Sequence, residues 1–259
     1  MAMANSRVAA LLLVLVASLT LAASVQAGYV GSDWTSGQAH ATYYGGADAA
    51  GTQGGACGFG NLWSTGYGTD TAALSAALFN SGLSCGACYE LKCDTAGSKY
   101  CLPGNPSITV TATNYCPQGS EGGWCDTPKQ HFDLAHPAFT KLAHEGGGVF
   151  PVVYRRVPCA KQGGMRFQIN GNPWFLLVLV TNVGGAGDVQ QLQVKGERTG
   201  WYQMVRNWGQ MWQFTGDHTL PGQALSFRAT LSDGSVVESW NCAPKNWGFQ
   251  QVFEGTPAH

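Results

Sequence analysis

The chain has 259 residues, 14 of them basic and 15 acidic, for a formal net charge of −1. Charged residues make up 11% of it, less than half of the roughly 25% usual in soluble domains, so there is no field to hold nucleic acid or an anionic membrane. Nine tryptophans and nine tyrosines beside so few charges suit a neutral, hydroxyl-rich ligand, because an aromatic face can cover the apolar C–H face of a sugar ring.

Residues 1–27 carry one charge, Arg7, then an unbroken apolar run from Val8 to Val16 and the small-residue pattern Val25-Gln26-Ala27. This predicts a secretory signal peptide cut after Ala27. The run is shorter than the ~20 apolar residues of a bilayer span, and no later segment resembles one. The remainder, 28–259, suffices for one large or two ordinary domains. All nine cysteines lie in it, eight from Cys57 to Cys159 and Cys242 alone downstream. In an oxidising compartment that asymmetry predicts a disulfide-rich first domain and a second domain held by its core. Spacing alone leaves about a hundred pairings of eight cysteines open. Cys85-Gly86-Ala87-Cys88 also fits half a zinc site or a redox pair, though the oxidising compartment favours disulfides.

The first domain reads as glycine-rich, with turns at Gly45-Gly46 and Gly54-Gly55. Thr42-Tyr43-Tyr44 falls on the first strand, with Asp48 just downstream; core aromatics and a turn carboxylate would account for these residues equally well. A helix is predicted from Asp70 to Asn80, with Asp70 as N-cap, Leu74, Ala77 and Leu78 on one face, and Gly82 past the end. Strands follow at Tyr89–Cys93 and Ser107–Tyr115. His131-Phe132-Asp133-Leu134 places a carboxyl between two apolar neighbours, where desolvation raises a pKa as a general acid requires. The competing reading is a carboxylate at the N-terminus of a helix, since a short helix starts at Pro137 and runs through Phe139 and Leu142.

Beyond Cys159 a linker of roughly ten residues, with Gly163-Gly164 and Asn170-Gly171-Asn172-Pro173, precedes a series of short apolar runs. They are Phe175–Val183, Val189–Val194, Trp201–Val205, Met211–Phe214, Leu225–Leu231 and Val236–Trp240, with Asp233-Gly234 as a hairpin turn. Regular short strands without helical periodicity predict a small β-sandwich. Its aromatics, Trp174, Trp201, Tyr202, Trp208 and Trp212, are too many for so small a core, so some face solvent; alternation alone does not assign faces.

The stretches Gly51–Asn61, Thr71–Asn80, Cys85–Cys88, His131–Leu134 and Tyr154–Cys159 together resemble the first domain of plant alpha-expansins. Asn172–Phe175, Val180–Val183, Arg198–Gln213 and Leu225–Arg228 continue the resemblance in order over nearly the whole chain beyond the signal. Gly122-Gly123-Trp124-Cys125 resembles the alpha branch. The resemblance implies a mostly β chain: a double-psi β-barrel similar to family-45 endoglucanases over 28–162, then an immunoglobulin-like β-sandwich over 163–259 with its core at about 173–253. It implies the pairings Cys57 with Cys85, Cys88 with Cys159, Cys93 with Cys101 and Cys116 with Cys125. Cys242 is then an odd thiol, open to a thiol reagent or to an interchain disulfide.

In the endoglucanases that the first domain resembles, the acid is matched here by Asp133, and the base follows a motif matched by Thr42 and Tyr44. Gly46 stands in the base position. An inverting glycosidase needs a second carboxylate to activate water, so the resemblance implies a cleft of Thr42, Tyr44, Asp48, His131 and Asp133 that contacts glucan without hydrolysing it. It also implies a strip of Trp174, Trp208, Trp212 and Tyr202 that binds polysaccharide. The expected function is non-hydrolytic loosening of the cell wall; a glucan-binding scaffold and an endoglucanase are the alternatives. No metal or cofactor is expected. The implied partners are cellulose and matrix glucans such as xyloglucan, met by a secreted monomer in the wall or at the outer face of the plasma membrane. Gln53, where the family usually has Met, puts only local packing in question.

Overall fold

The computed structural model describes residues 33–35, 39–119, 122–216 and 219–259; the expected signal peptide lies outside them. The first part is a closed barrel of six strands in the order β1-β5-β2-β4-β3-β6. They are β1 (Ala39–Tyr44), β2 (Thr71–Leu74), β3 (Cys88–Cys93), β4 (Ser107–Tyr115), β5 (Gln130–Ala135) and β6 (Phe150–Val157). Strand alternation turns Ala39 and Ala41 of β1 and Phe132 and Leu134 of β5 into the barrel, where they join Leu74, Leu91, Val110 and Val152. The four implied disulfides are all formed. Each is worth about 2–4 kcal/mol, which supplements the core of so glycine-rich a chain.

The helix expected over Asp70–Asn80 is not formed as such. Thr71–Leu74 is a strand, buried at every position, paired parallel to β4 and antiparallel to β5. Only Ala76–Phe79 is helical (α1), ending at Asn80 with φ 50°. A short alanine-rich run has the same apolar signature in a buried central strand as on a helix face, and pairing on both edges overrides helix propensity. Asp70 is no cap: its carboxylate meets Lys141 Nζ at 2.5 Å. The second helix, α2 (His136–Phe139), carries Pro137 in its first turn, and the chain turns on to a buried Leu142.

The second part is a sandwich of two sheets, β10-β9-β13-β14 and β11-β12-β8-β7-β15. Its strands are β7 (Arg166–Asn172), β8 (Phe175–Thr181), β9 (Val189–Gly196), β10 (Tyr202–Gln203), β11 (Val205–Trp208), β12 (Met211–Phe214), β13 (Leu225–Leu231), β14 (Val236–Ala243) and β15 (Gln251–Glu254). Phe167 and Phe227 stack between the sheets, ring centroids 4.4 Å apart. The expected linker is shorter than read, because Arg166–Asn172 is a strand paired with β8 and β15; the sandwich therefore begins before 173. Asp233-Gly234 does turn a hairpin, with Gly234 at φ 83°. No described helix is long and apolar enough to cross a membrane.

The two parts are docked. Phe59, Leu62 and Tyr67 of the barrel pack with Leu179 of β8 and Met211 of β12. Gln210 donates to the Cys85 carbonyl at 2.8 Å, and Arg156 of β6 donates to Asp188 at 2.8 Å.

Candidate functional site

The parallel pairing of β1 with β5 sets His40 opposite His131 and Thr42 opposite Asp133. With Phe132 and Leu134 turned into the barrel, His131 and Asp133 take the other face of β5. The Thr42 hydroxyl donates to Asp133 Oδ1 at 2.6 Å and lies 2.8 Å from His131 Nε2. Burial pushes the Asp133 carboxyl above its ordinary pKa, opposed by the Thr42 bond. The expected direction and its expected cause, desolvation, are both present. The flanking Phe132 and Leu134 side chains themselves turn into the barrel core. His131 is fully buried, and burial together with His40 and Lys129 brings its pKa down to about 4. The Tyr44 hydroxyl lies buried without a hydrogen-bond partner among the described residues, near Asn114 and Asp133; desolvation raises its pKa, the Asn114 side chain opposes this, and the nearby carboxyl adds to it.

Gly46 and Asp48 lie in a tight turn beside this floor. Gly46 donates to the Ala50 carbonyl at 2.9 Å, and Ala49 donates back to the Gly46 carbonyl at 2.8 Å. Asp48 Oδ1 accepts the Ala50 N–H at 2.9 Å, which commits that carboxylate oxygen to its own turn. Gly45, at φ 76°, has the left-handed backbone; Gly46 does not. A side chain at 46 would instead meet Asp48, whose Oδ1 lies 2.9 Å from the position of a Cβ.

On the sandwich, Trp174 and Trp208 are exposed, at 70% and 46%. Trp212 is 2% exposed and belongs to the core, so it cannot serve in a binding strip. It sits on β12 opposite Val178 of β8, another inward residue, and pairing partners share a face. Tyr202 is half-buried and stacks on Phe214 at 4.9 Å, which spends its ring on packing. Leu176, Val178 and Val180 of β8 point inward, leaving Phe175, Leu177 and Leu179 on the same outer sheet face that Met211 shares. Trp208, at the end of β11, lies against the barrel: a Cβ on Gly58 would be 3.1 Å from its indole.

Sequence reasoning passed over three cleft-side or exposed aromatics. Trp124, 41% exposed, stacks over His40 and His131; its place in the Gly122–Cys125 insertion was the available signal. His40, two residues before Thr42, shares its strand face, as alternation would have indicated. Trp63 is exposed on a loop held by Gln53, whose Oε1 accepts the Leu62 N–H at 2.5 Å. Among the described residues no cluster of His, Cys, Asp and Glu could hold a metal ion.

Comparison with known proteins agrees with this geometry. Residues 165–244 match the family model described as the expansin C-terminal domain, and residues 71–154 the one described as lytic transglycolase. Expansin-A22 of Arabidopsis thaliana is 54% identical over 220 residues, 84% of this chain and 77% of its own length. Expansin-A13 of Oryza sativa subsp. japonica is 50% identical over 255 residues, 95% of this chain and 96% of its own. The fold matches the crystal structure of the apo expansin of Clavibacter michiganensis, TM-score 0.63 at 16% identity, covering 85% of this chain and 96% of that one. A point mutant of the same bacterial protein, in complex with cellohexaose, matches with the same score. A closed barrel followed by a sandwich, with half of all residues shared with a rice Expansin-A over nearly the full chain, places the protein in the expansin family, among the alpha-expansins.

Proposed function

We propose that this chain loosens plant cell walls without hydrolysis, by competing for the non-covalent contacts between cellulose and matrix glucans. The observation that carries the reading is a desolvated Asp133 in a chain that has glycine at 46, where the resemblance to family-45 endoglucanases would put the base. Thr42 occupies Asp133 Oδ1, so the proton of the neutral acid goes to Oδ2, where it is offered to a glucan oxygen. Hydrolysis needs more: a carboxylate to deprotonate water, whose assistance is worth about 10² to 10⁴ in rate, and Gly46 has no side chain to supply it. Asp48, the nearest substitute, has one oxygen committed to its turn.

Trp174 and Trp208 supply flat apolar faces on the sandwich, the kind of exposed patch that marks a binding surface. Tyr44 neighbours both Asp133 and Asn114, Asn114 Oδ1 accepts the Ala56 N–H at 2.8 Å, and Gly58 lies against Trp208. One extended chain could lie along both parts. The cellohexaose complex of the bacterial relative supports a β-glucan as that chain. On this reading the protein acts outside the cell as a monomer, on cellulose together with a matrix glucan such as xyloglucan, with its barrel domain ending near 162.

The test applies purified protein to heat-inactivated wall strips under constant load across acidic pH, with reducing sugar measured in parallel. Creep without sugar release, lost in Asp133→Asn, is the expected result. Sugar release that vanishes in Asp133→Asn would make the chain an endoglucanase, and glucan binding without creep would make it a scaffold.

A further inference from the structure

Trp124 directly precedes Cys125 of the Cys116–Cys125 disulfide and lies beside His40 and His131, and the group next to it has a specific chemistry. Thr42 has one hydroxyl proton and gives it to Asp133 Oδ1. Its contact with His131 Nε2 at 2.8 Å must then be one in which the imidazole donates, so the ring carries its proton on Nε2. His131 Nδ1 is left as a bare acceptor, buried and with no hydrogen-bond partner among the described residues. A second proton placed there would have nowhere to donate, and the cost of burying such a group is high.

The cover over this ring is the Trp124 indole. It stacks on His131 at 6.1 Å with the planes 22° apart, and touches His40 at 4.4 Å. Lys129 Nζ stands 5.4 Å from the Trp124 ring and is held by the carbonyls of Gly122 and Gly123 at 2.6 and 3.0 Å. Asp126 fixes the same loop by accepting the N–H groups of Gly119 and Gly123. The charged and titratable groups that act on the imidazole are His40 from β1 and Lys129 from the loop, with Asp133 beyond Thr42; Tyr44 lies near Asp133, and Asp126 is engaged within its own loop. His40 and Lys129 both disfavour a charge on His131. The neighbouring Ser75 hydroxyl accepts the His131 backbone N–H at 3.1 Å, which fixes the residue's place.

We propose that Trp124 is a positioning residue for Asp133: its indole keeps water from His131, holds that imidazole as a donor to Thr42, and so commits the Thr42 hydroxyl to the carboxyl. Without the indole, water reaches Nδ1 and His131 takes up a proton in the acidic range. Its positive charge, one hydroxyl away from Asp133, then favours the carboxylate. An opposite charge at such range lowers a carboxyl pKa by about 1 to 3 units. The pH at which creep is half-maximal should accordingly move down by about 1 unit in Trp124→Ala, whereas Trp124→Phe, which keeps an aromatic cover, should hold the wild-type midpoint.

This rests on the proposed function only where creep is the readout, so the experiment has a second arm. Full-length protein with labelled histidine is titrated by NMR, and the His131 ring shifts report its protonation directly, whether or not the wall extends. The expected results are a His131 pKa raised in Trp124→Ala and unchanged in Trp124→Phe, together with the downward displacement of the creep midpoint. Where Trp124→Ala is not secreted as a folded protein, Trp124→Gln, which leaves a side chain over the loop but admits water, takes its place with the same expectation. An unmoved His131 titration overturns the proposal, as does creep reduced by one factor at every pH with no displacement. Wild type that titrates as described but causes no creep would sink the functional reading and leave the positioning role standing.

Discussion

At Asp133 the pKa direction has a consequence for stability as well as for creep. The folded state holds the carboxyl above its unfolded value, so folding is helped by protonation. That help is fully present below the unfolded pKa and is lost as pH rises through the folded one. Asn keeps an acceptor for Thr42 but cannot ionise, so Asp133→Asn should melt higher than wild type at neutral pH, converge with it in acid, and show no creep at any pH. Melting curves across pH check the first part; a variant that melts lower at neutral pH would mean the Thr42 bond outweighs burial. At position 46 the backbone poses no obstacle, and the obstacle is the Asp48 oxygen 2.9 Å from the site of a new Cβ. Gly46→Asp should fold and still release no measurable sugar, because its carboxylate and that of Asp48 repel each other away from a productive placement; sugar release dependent on Asp133 would contradict this. Cys242 corrects a simpler expectation. It is the free cysteine, but it packs against the sandwich core, and burial pushes its thiol up to about 11. A thiol reagent consumes the thiolate, so native protein at neutral pH should react slowly and unfolded protein at the rate of a small thiol.

At the scale of elements, the tryptophans separate into two kinds with opposite predicted phenotypes. Trp212→Ala removes a core ring that also carries the Arg206 guanidinium 4.4 Å above it, and should cost about 3–5 kcal/mol of stability. Trp174→Ala and Trp208→Ala should leave the melting temperature within a few degrees of wild type and weaken adsorption to insoluble cellulose. Pull-down on cellulose beside thermal melts separates the two, and unaltered adsorption of the folded double variant would refute the platform. The sequence reading could not divide these residues, because face assignment in a strand depends on register, and register appears only once Trp212 is paired opposite Val178. Where turn signals and β-branched or aromatic runs bounded a segment, as at Ser107–Tyr115 and Leu225–Leu231, the strand was legible to the residue. It was illegible at Thr71–Leu74, whose alanines carry no strand preference of their own, and at Arg166–Asn172, where glycine and asparagine hide an edge-proximal strand behind loop-like composition. The His131–Leu134 motif left the role of the Asp133 carboxyl open, and only the family resemblance singled it out. Its partners His40 and Trp124 were not legible, since they reach it through a strand pairing and a disulfide loop.

For the whole molecule, the question is whether cleft and platform act as one surface, and the interface between barrel and sandwich decides it. Asp188, almost fully buried, accepts from Arg156 at 2.8 Å, Ser232 at 2.7 Å and Gln190 at 2.9 Å. Arg206 adds donors to the Gly82 carbonyl at 3.2 Å and the Gly209 carbonyl at 2.5 Å, and Gly86 and Gly187 approach so closely that neither tolerates a Cβ. Polar groups paired in this way across a junction favour one geometry, because sliding would take a buried charge from its partner. Asp188→Ala does this to Arg156 directly and should cost about 3–5 kcal/mol at the interface. The cores of the two parts are separate, so each should survive the loss. Calorimetry should then show two transitions in place of one. On the proposed reading adsorption to cellulose rests on Trp174 and Trp208 and should persist, while creep, which on the same reading rests on the Asp133 side of the barrel held in line with them, should fall. A single unshifted transition with full creep would show that the ion pair does not fix the domains. Lost adsorption in a folded variant would show that the platform depends on the barrel.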